Sequence, residues 1–335
     1  MSDRVQSEAD IIDRYLRPLA AGFPGAFSLT DDCAAISVPA GDELVLSVDA
    51  VAAGVHFFAD DDPADIAWKA LAVNVSDLAA KGATPLAYLM SLAFPDAPRH
   101  SWLEGFRRGL QDAQDQFGIS LAGGDTDRRP GPLSITITAM GTTTAGRNLL
   151  RSDAHAGDVL FVSGTLGEGA LGLKLRQAPA LAGTWGLSQD RAASLVAAYL
   201  RPQPRLALGP ALRRFASASM DISDGLAKDL QRLCRASSVG TAVAVGALPL
   251  SPAAASVVRA DPTAWATILA GGDDYEILAA VPSTLAPDFR AQAAGAGVKV
   301  TEIGSLDDGA DVLFAGPDGT RLPLIQTGWD HFGGP

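Results

Sequence analysis

The stretch MDISDGLAKDL, residues 220–230, crowds Asp221, Ser223 and Asp224 into four positions where the chain turns. Gly225 follows, and GLAKDLQRL reads as a helix. Two carboxylates about 4 Å apart repel by roughly 4 kcal/mol at a moderate effective dielectric. Either each aspartate caps backbone amides locally, as Asp does at turns, or something positive sits between them. Working outward, the pattern recurs. Asp31 and Asp32 lie in TDDCAA, Asp49 closes LSVDA, Asp125 follows two glycines in GGDTD, and Asp273 and Asp274 follow two more in GGDDYE. Asp77 is different, because it lies inside a predicted helix and shares one face with Asn74 and Lys81. Taken singly, each reads as a cap or an i,i+4 partner. Taken as a set, they point to hard divalent cations with oxygen ligands, and magnesium is the one that accompanies nucleotide phosphates.

The surrounding pattern alternates strands and helices. Helix-like segments run over Glu8–Leu19, from Pro63 to a stop near Gly82, and from Ser101 to Gly118. ELVLSVD, from Glu43, reads as a strand. So does LSITITAMG, with Ser134, Thr136 and Thr138 on one face and Ile135, Ile137 and Ala139 on the other. The polar turn RSDAHAGD, from Arg151, leads into the strand VLFVSG and the Gly-rich helix start TLGEGALGLKL. RPQPRLALGPALRRF is a proline-broken loop that becomes helical. The segment from Leu248 to Pro282 reads as helix, turn and strand. LAGGD occurs at Leu121–Asp125 and again at Leu269–Asp273. The expectation is an α/β (α+β) protein of two domains, 1–148 and 149–335.

Composition narrows the partners. The 335 residues are 47% hydrophobic and 19% charged, as in a globular protein, and no apolar run is long enough for a membrane span. The net charge of −12, from 26 basic and 38 acidic residues, argues against a nucleic-acid backbone or an anionic membrane as partner. It does not exclude a phosphorylated ligand, because bound magnesium turns an acidic pocket into a phosphate site. The polar N-terminus and two cysteines, Cys33 and Cys234, suggest a cytoplasmic protein with reduced thiols. P-loop, protein-kinase, GxSxG and HExxH motifs are absent, and VSGTLGEGALGL lacks the GxGxxG spacing. His100 and His155 read as structural.

SVDAVAAGVHF, ALAVNVSDLAAKGATP, LAGGDTDR, MDISDGLAKDL, LAGGDDYEI and the terminal GWDHF, in that order along the chain, resemble the thiamine-monophosphate kinase family from about Glu8 to Phe332. The wider superfamily includes aminoimidazole ribonucleotide synthetase, selenophosphate synthetase and a hydrogenase-maturation enzyme. The resemblance implies its two-domain fold, with an N-terminal sheet domain that pairs in a homodimer, a C-terminal α/β domain, and ATP between the domains. It implies direct in-line phosphorylation of thiamine monophosphate by ATP, with several Mg2+ ions and no phosphoenzyme. Asp32, Asp49, Asp77, Asp125, Asp221 and Asp224 match its magnesium ligands, with Ser47 and Val48 beside Asp49 on the strand. Gly124, Arg151 and Ser223 match nucleotide contacts. His56, Asp273 and Trp329 match the thiamine side, where a thiazolium on an indole face is a sound cation–π pair. Asp273 stands where the family usually carries Glu, and Thr30 where it carries Gly; Cys33 reads as a small buried residue. The alternatives are another ATP-dependent member that activates an amide or carboxylate oxygen, and a divalent-ion-binding relative without turnover.

Overall fold

A computed structural model describes residues 3–316, 319–322 and 328. The chain packs as two units, Met1–Leu78 with Ala83–Gly146, and Ala79–Gly82 with Arg147–Pro335.

In the first unit, Ser7 caps a short helix α1, Glu8–Ile11, by accepting from the Asp10 amide. The chain then tightens through a π turn at Ile12–Leu16 and a 3-10 turn at Arg17–Ala20. The single helix expected over 8–19 is therefore helical throughout but mixed in type. Pro18, which has no N–H to continue an α-helix, sits where the winding changes. There follow β1 (Asp42–Ala52), α2 (Pro63–Ala80), β2 (Thr84–Phe94), α3 (His100–Phe117), β3 (Ser120–Arg128) and β4 (Ser134–Thr144). α3 buries Leu103, Phe106, Leu110, Ala113 and Phe117 on one stripe and ends at Gly118 in the left-handed region. Tyr15 and His100 Nδ1 share a 2.7 Å hydrogen bond that ties the N-terminal turns to α3, a structural role.

The sheet order is β1-β4-β2-β3, antiparallel except for the β2–β3 pair, which α3 connects. The alternation read in β4 is present: Ile135, Ile137 and Ala139 are fully buried, and Ser134, Thr136 and Thr138 are half-buried on the other face. Register extends this pattern. Ser47 and Asp49 pair with Ala139 and Ile137, on the face toward α2. Leu46 and Val48 pair with Met140 and Thr138 on the opposite face, where they are 57% and 59% exposed.

The second unit contains β5 (Asp158–Ser163), α4 (Glu168–Gln177), α5 (Leu181–Thr184), α6 (Gln189–Leu200), α7 (Gly209–Phe215), β6 (Ala218–Ile222) and α8 (Leu226–Ser237). It continues with β7 (Gly240–Ala244), α9 (Pro252–Ala260), α10 (Ala264–Ala270), β8 (Glu276–Pro282), α11 (Ala286–Gly295), β9 (Val300–Asp307) and β10 (Val312–Ala315). The sheet order is β10-β7-β9-β5-β8-β6, and only β10–β7 is parallel. Its middle is covered on both faces. Leu160, Val162, Leu278 and Ala280 enter one core, while Phe161, Ile277, Ala279 and Val281 enter the other. VLFVS and EILAAV therefore read as unbroken apolar runs rather than alternating ones. The repeated LAGGD is not a structural repeat. The first copy lies in β3, and the second spans the end of α10 and the turn before β8.

Candidate functional site

In the second unit, every residue of β6 is buried, and Asp221 is the last but one. The chain turns at Ser223–Gly225 and enters α8, whose N-cap Gly225 offers no side-chain cap. Asp224 does not fill that place. Its Oδ2 lies 3.2 Å from Lys228 Nζ and 2.8 Å from Arg232. The turn is bolted to the GGDDYE loop. Asp273 N–H donates to the Ser223 carbonyl at 2.9 Å, and Tyr275 N–H to the Ile222 carbonyl at 2.8 Å. Asp221, Ser223, Asp224 and Asp273 are thus brought to one place. Asp273 (φ 61°) and Tyr275 (φ 50°) both adopt the left-handed region. The Tyr275 hydroxyl donates to Asp273 Oδ1 at 3.0 Å and fixes that carboxylate. The Gly-rich start of α4 serves this loop: a Cβ on Gly169 would meet the Asp273 carbonyl at 2.1 Å.

Asp274, between the two strained residues, is half-buried, with its carboxylate oxygen Oδ2 turned inward away from solvent. Its Oδ1 accepts from Gly167 N–H at 2.7 Å, and its Oδ2 has no hydrogen-bond partner among the described residues. Burial holds this carboxyl well above the ordinary carboxylate range, and Glu276, Asp273 and Glu168 add repulsion. The folded protein thus keeps the proton to higher pH than the unfolded chain. That stability is complete below the unfolded carboxylate range and is lost as pH rises toward the folded value. Asp274→Asn keeps an oxygen for Gly167 and cannot ionise. It is expected to melt above the parent at pH 8, by about 2–4 °C for each 1 kcal/mol relieved, and level with it at pH 4. Equal melting at both pH values would contradict the assignment.

Arg151 is placed apart from the turn. Its carbonyl accepts from Ser237 Oγ at 2.7 Å, at the far end of α8. Roughly 16 Å of helix separates that point from Leu226. Trp329 lies outside the described residues. Gly328 before it sits against the turn, since a Cβ there would meet the Asp224 carbonyl at 2.6 Å.

In the first unit, Ser47 Oγ donates to Asp77 Oδ2, and Asp49 N–H donates to Asn74 Oδ1 at 2.9 Å. Buried Asn74 itself donates to the Ala70 carbonyl. The face of α2 read from the sequence is therefore the one that meets β1. Lys81, just past α2, belongs to the second unit and there donates to the Ser219 carbonyl at 3.0 Å. Just beyond β1, His56 Nδ1 accepts from Ala52 N–H at 3.0 Å, so a neutral ring carries its proton on Nε2. On the sheet's other face is a cavity of about 650 Å3, lined in part by Asp31, Asp32, Cys33, Gly124, Ser91 and Asp125. Cys33, expected to be buried, is exposed; Cys234 is the buried thiol, pushed up to about 11 by burial. Asp32 and Asp125 share this cavity, but the fold does not bring them to Ser47, Asp49 and Asp77. β1 and β3 are opposite edges of the sheet, roughly 14 Å apart at the usual strand spacing.

Every matched donor is an oxygen, which suits a hard cation. Among the described residues, no three His, Cys, Asp or Glu side chains form a preformed metal cage.

Sequence reading passed over Asp229. It falls on the apolar stripe Leu226, Leu230, Leu233 of α8, and a carboxylate there is the signal that could have found it. Burial raises its pKa.

Comparison with known proteins gives a consistent picture. The AIR synthase related protein N-terminal domain model matches residues 30–143, and the C-terminal domain model matches residues 155–314. A thiamine-monophosphate kinase from Caulobacter vibrioides is 40% identical over 330 residues, covering 97% of this chain and 91% of that one. The crystal structure of thiamine-monophosphate kinase from Stenotrophomonas maltophilia superposes with a TM-score of 0.79 at 38% identity, covering 88% of this chain and 91% of that one. AaThiL complexed with AMPPCP and TMP superposes with a TM-score of 0.76 at 31% identity, covering 90% of this chain and 91% of that one. No described helix is long and apolar enough to cross a membrane.

Proposed function

This chain belongs to the thiamine-monophosphate kinase family, within the AIR synthase related proteins, and on that premise we propose how its residues share the transfer of a phosphoryl group from ATP to thiamine monophosphate. A bond forms between a phosphate oxygen of thiamine monophosphate and the γ-phosphorus of ATP, as the bond from that phosphorus to the ADP oxygen breaks. Direct in-line transfer of this kind asks for positioning and charge neutralisation, not for a covalent nucleophile. The observation that carries the reading is the bolted turn: the Ile222 and Ser223 carbonyls accept from Tyr275 and Asp273 N–H, so the segment carrying Asp221, Ser223 and Asp224 lies beside Asp273.

Asp221 and Asp224 in one unit, and Asp32, Ser47, the Val48 main chain, Asp49, Asp77 and Asp125 in the other, would hold magnesium. Bound there, Mg2+ supplies neutralisation of the nucleotide phosphates and of the charge that moves during transfer. Ser223, Gly124 and the Arg151 guanidinium are each assigned to the nucleotide by their match to the family's motifs. Asp273, with its carboxylate fixed by Tyr275, is assigned to the thiamine side, as are His56 and Trp329 by their match to the family's motifs. Leu46, Val48 and Leu89, exposed on one face of the first unit's sheet, support a homodimer through that face. A second copy there also offers a route to join an Asp125 to an Asp49 that one sheet holds apart. Sedimentation as a monomer at micromolar concentration would sink this assembly. Free thiols and ATP use suit the cytoplasm, where fractionation would find the protein.

The metal assignment predicts a conditional stabilisation. With magnesium, a β,γ-methylene ATP analogue at a hundred times its Kd stabilises by about 2.7 kcal/mol, a rise of roughly 5–10 °C in Tm. With EDTA the rise disappears. An equal rise in EDTA would remove the carboxylates from the metal role.

A further inference from the structure

We propose that Asp229 is a positioning residue for nucleotide binding by the Ser223–Asp224 turn. Its side chain is fully buried in the first turn of α8, on the same stripe as Leu226, Leu230 and Leu233. A helix built only to pack would carry an apolar residue at that position. Asp229 Oδ2 instead accepts two backbone N–H groups, from Ser223 at 3.0 Å and from Asp224 at 2.9 Å. Its Oδ1 accepts from an Arg232 guanidinium nitrogen at 2.8 Å. That same nitrogen lies 2.8 Å from Asp224 Oδ2. One carboxylate therefore fixes the backbone of the turn directly and the Asp224 side chain through Arg232.

The two amides have left the β6 ladder and precede a helix whose N-cap has no side-chain oxygen. Asp229 is what satisfies them, reaching back five and six residues. Without it, the Ser223 hydroxyl and the Asp224 carboxylate lose their common frame, while the GGDDYE loop keeps its own hold on Gly167 through Asp274. The effect is therefore directed at the nucleotide rather than at thiamine monophosphate. The inference rests on the reading of Ser223 and Asp224 as nucleotide and metal contacts.

The test uses the full-length protein and calorimetric titration with magnesium and the β,γ-methylene ATP analogue, alongside KM for both substrates. Asp229→Leu, which removes both acceptors, is expected to weaken analogue binding at least tenfold and to raise KM for ATP to match. KM for thiamine monophosphate changes less than threefold. Asp229→Asn keeps one oxygen for the two amides and is expected to restore analogue affinity to within threefold of the parent. A folded Asp229→Leu protein that binds the analogue like the parent overturns the proposal, even if it melts lower. If Asp229→Leu does not fold, Asp229→Asn decides with hydrogen exchange on the peptide containing Ser223 and Asp224. Protected amides with affinity within threefold support the proposal; protected amides with tenfold weaker binding overturn it. Asp224→Ala separates the premise from the inference. If it binds the analogue as tightly as the parent, the reading of the turn falls and this proposal with it. If it binds at least tenfold more weakly while Asp229→Leu does not, only the positioning role falls.

Discussion

Asp221→Asn lowers kcat by about 10²–10³-fold and leaves the melting temperature close to that of the parent. Asp221 sits near the end of β6, paired with Ile277 and only 4% exposed. Asparagine has its shape, so strand and packing survive. What goes is the carboxylate, the group able to present an anionic oxygen to a cation. On the metal assignment, the substitution removes an anionic ligand where transferred charge is balanced, and a single preorganised electrostatic partner in an active site is worth about 10²–10³ in rate. Losing activity without losing stability marks a residue kept for chemistry. Steady-state kinetics beside calorimetry reads both quantities. A kcat within tenfold of the parent removes Asp221 from the metal set.

Gly124→Ala produces the largest loss of stability. The added Cβ would lie 1.8 Å from the Met90 carbonyl oxygen, 2.7 Å from its carbon and 3.0 Å from its nitrogen. All three are main-chain atoms of β2, so no side chain can move aside. Relief requires β3 to part from β2 in the Gly124–Met90 pairing. Overpacking ordinarily costs about 1–3 kcal/mol, and a clash confined to backbone belongs at or beyond the upper end. Gly123→Ala is the control, because its Cβ would meet only a Leu89 methyl at 3.4 Å; it stays within about 1 kcal/mol of the parent. Urea midpoints for the two variants check this. A Gly124→Ala protein as stable as Gly123→Ala contradicts the close approach of β3 to β2.

Much of the architecture was legible because local periodicity and tertiary burial agree. α3 and β4 each carry one apolar face, so period alone finds them. The mixed winding after α1 was not legible, since the shift from α to π to 3-10 depends on packing as well as on Pro18. LAGGD shows the limit from the other side: the same five residues form a strand in one setting and a helix end with a turn in the other. At the site, the aspartates were legible as a set, but their partners were not. Asp224 reads locally as a cap, yet it pairs with Lys228 and Arg232 one and two turns along α8. Asp274 holds an amide 107 residues away, a relation that no window reveals. Asp229 hides for a different reason, as a carboxylate on an apolar stripe whose two amides lie behind it in the chain. Cys33 was misjudged because the cavity that exposes it is built from distant strands.

The most direct test of the central claim is a product analysis with purified protein, ATP, magnesium and thiamine monophosphate. The expected result is thiamine diphosphate and ADP in equal amounts, with nothing formed when magnesium is chelated. ADP released without thiamine diphosphate, or no turnover under any metal condition, would contradict the assignment of the two acidic sets and Asp273 to phosphoryl transfer onto thiamine monophosphate.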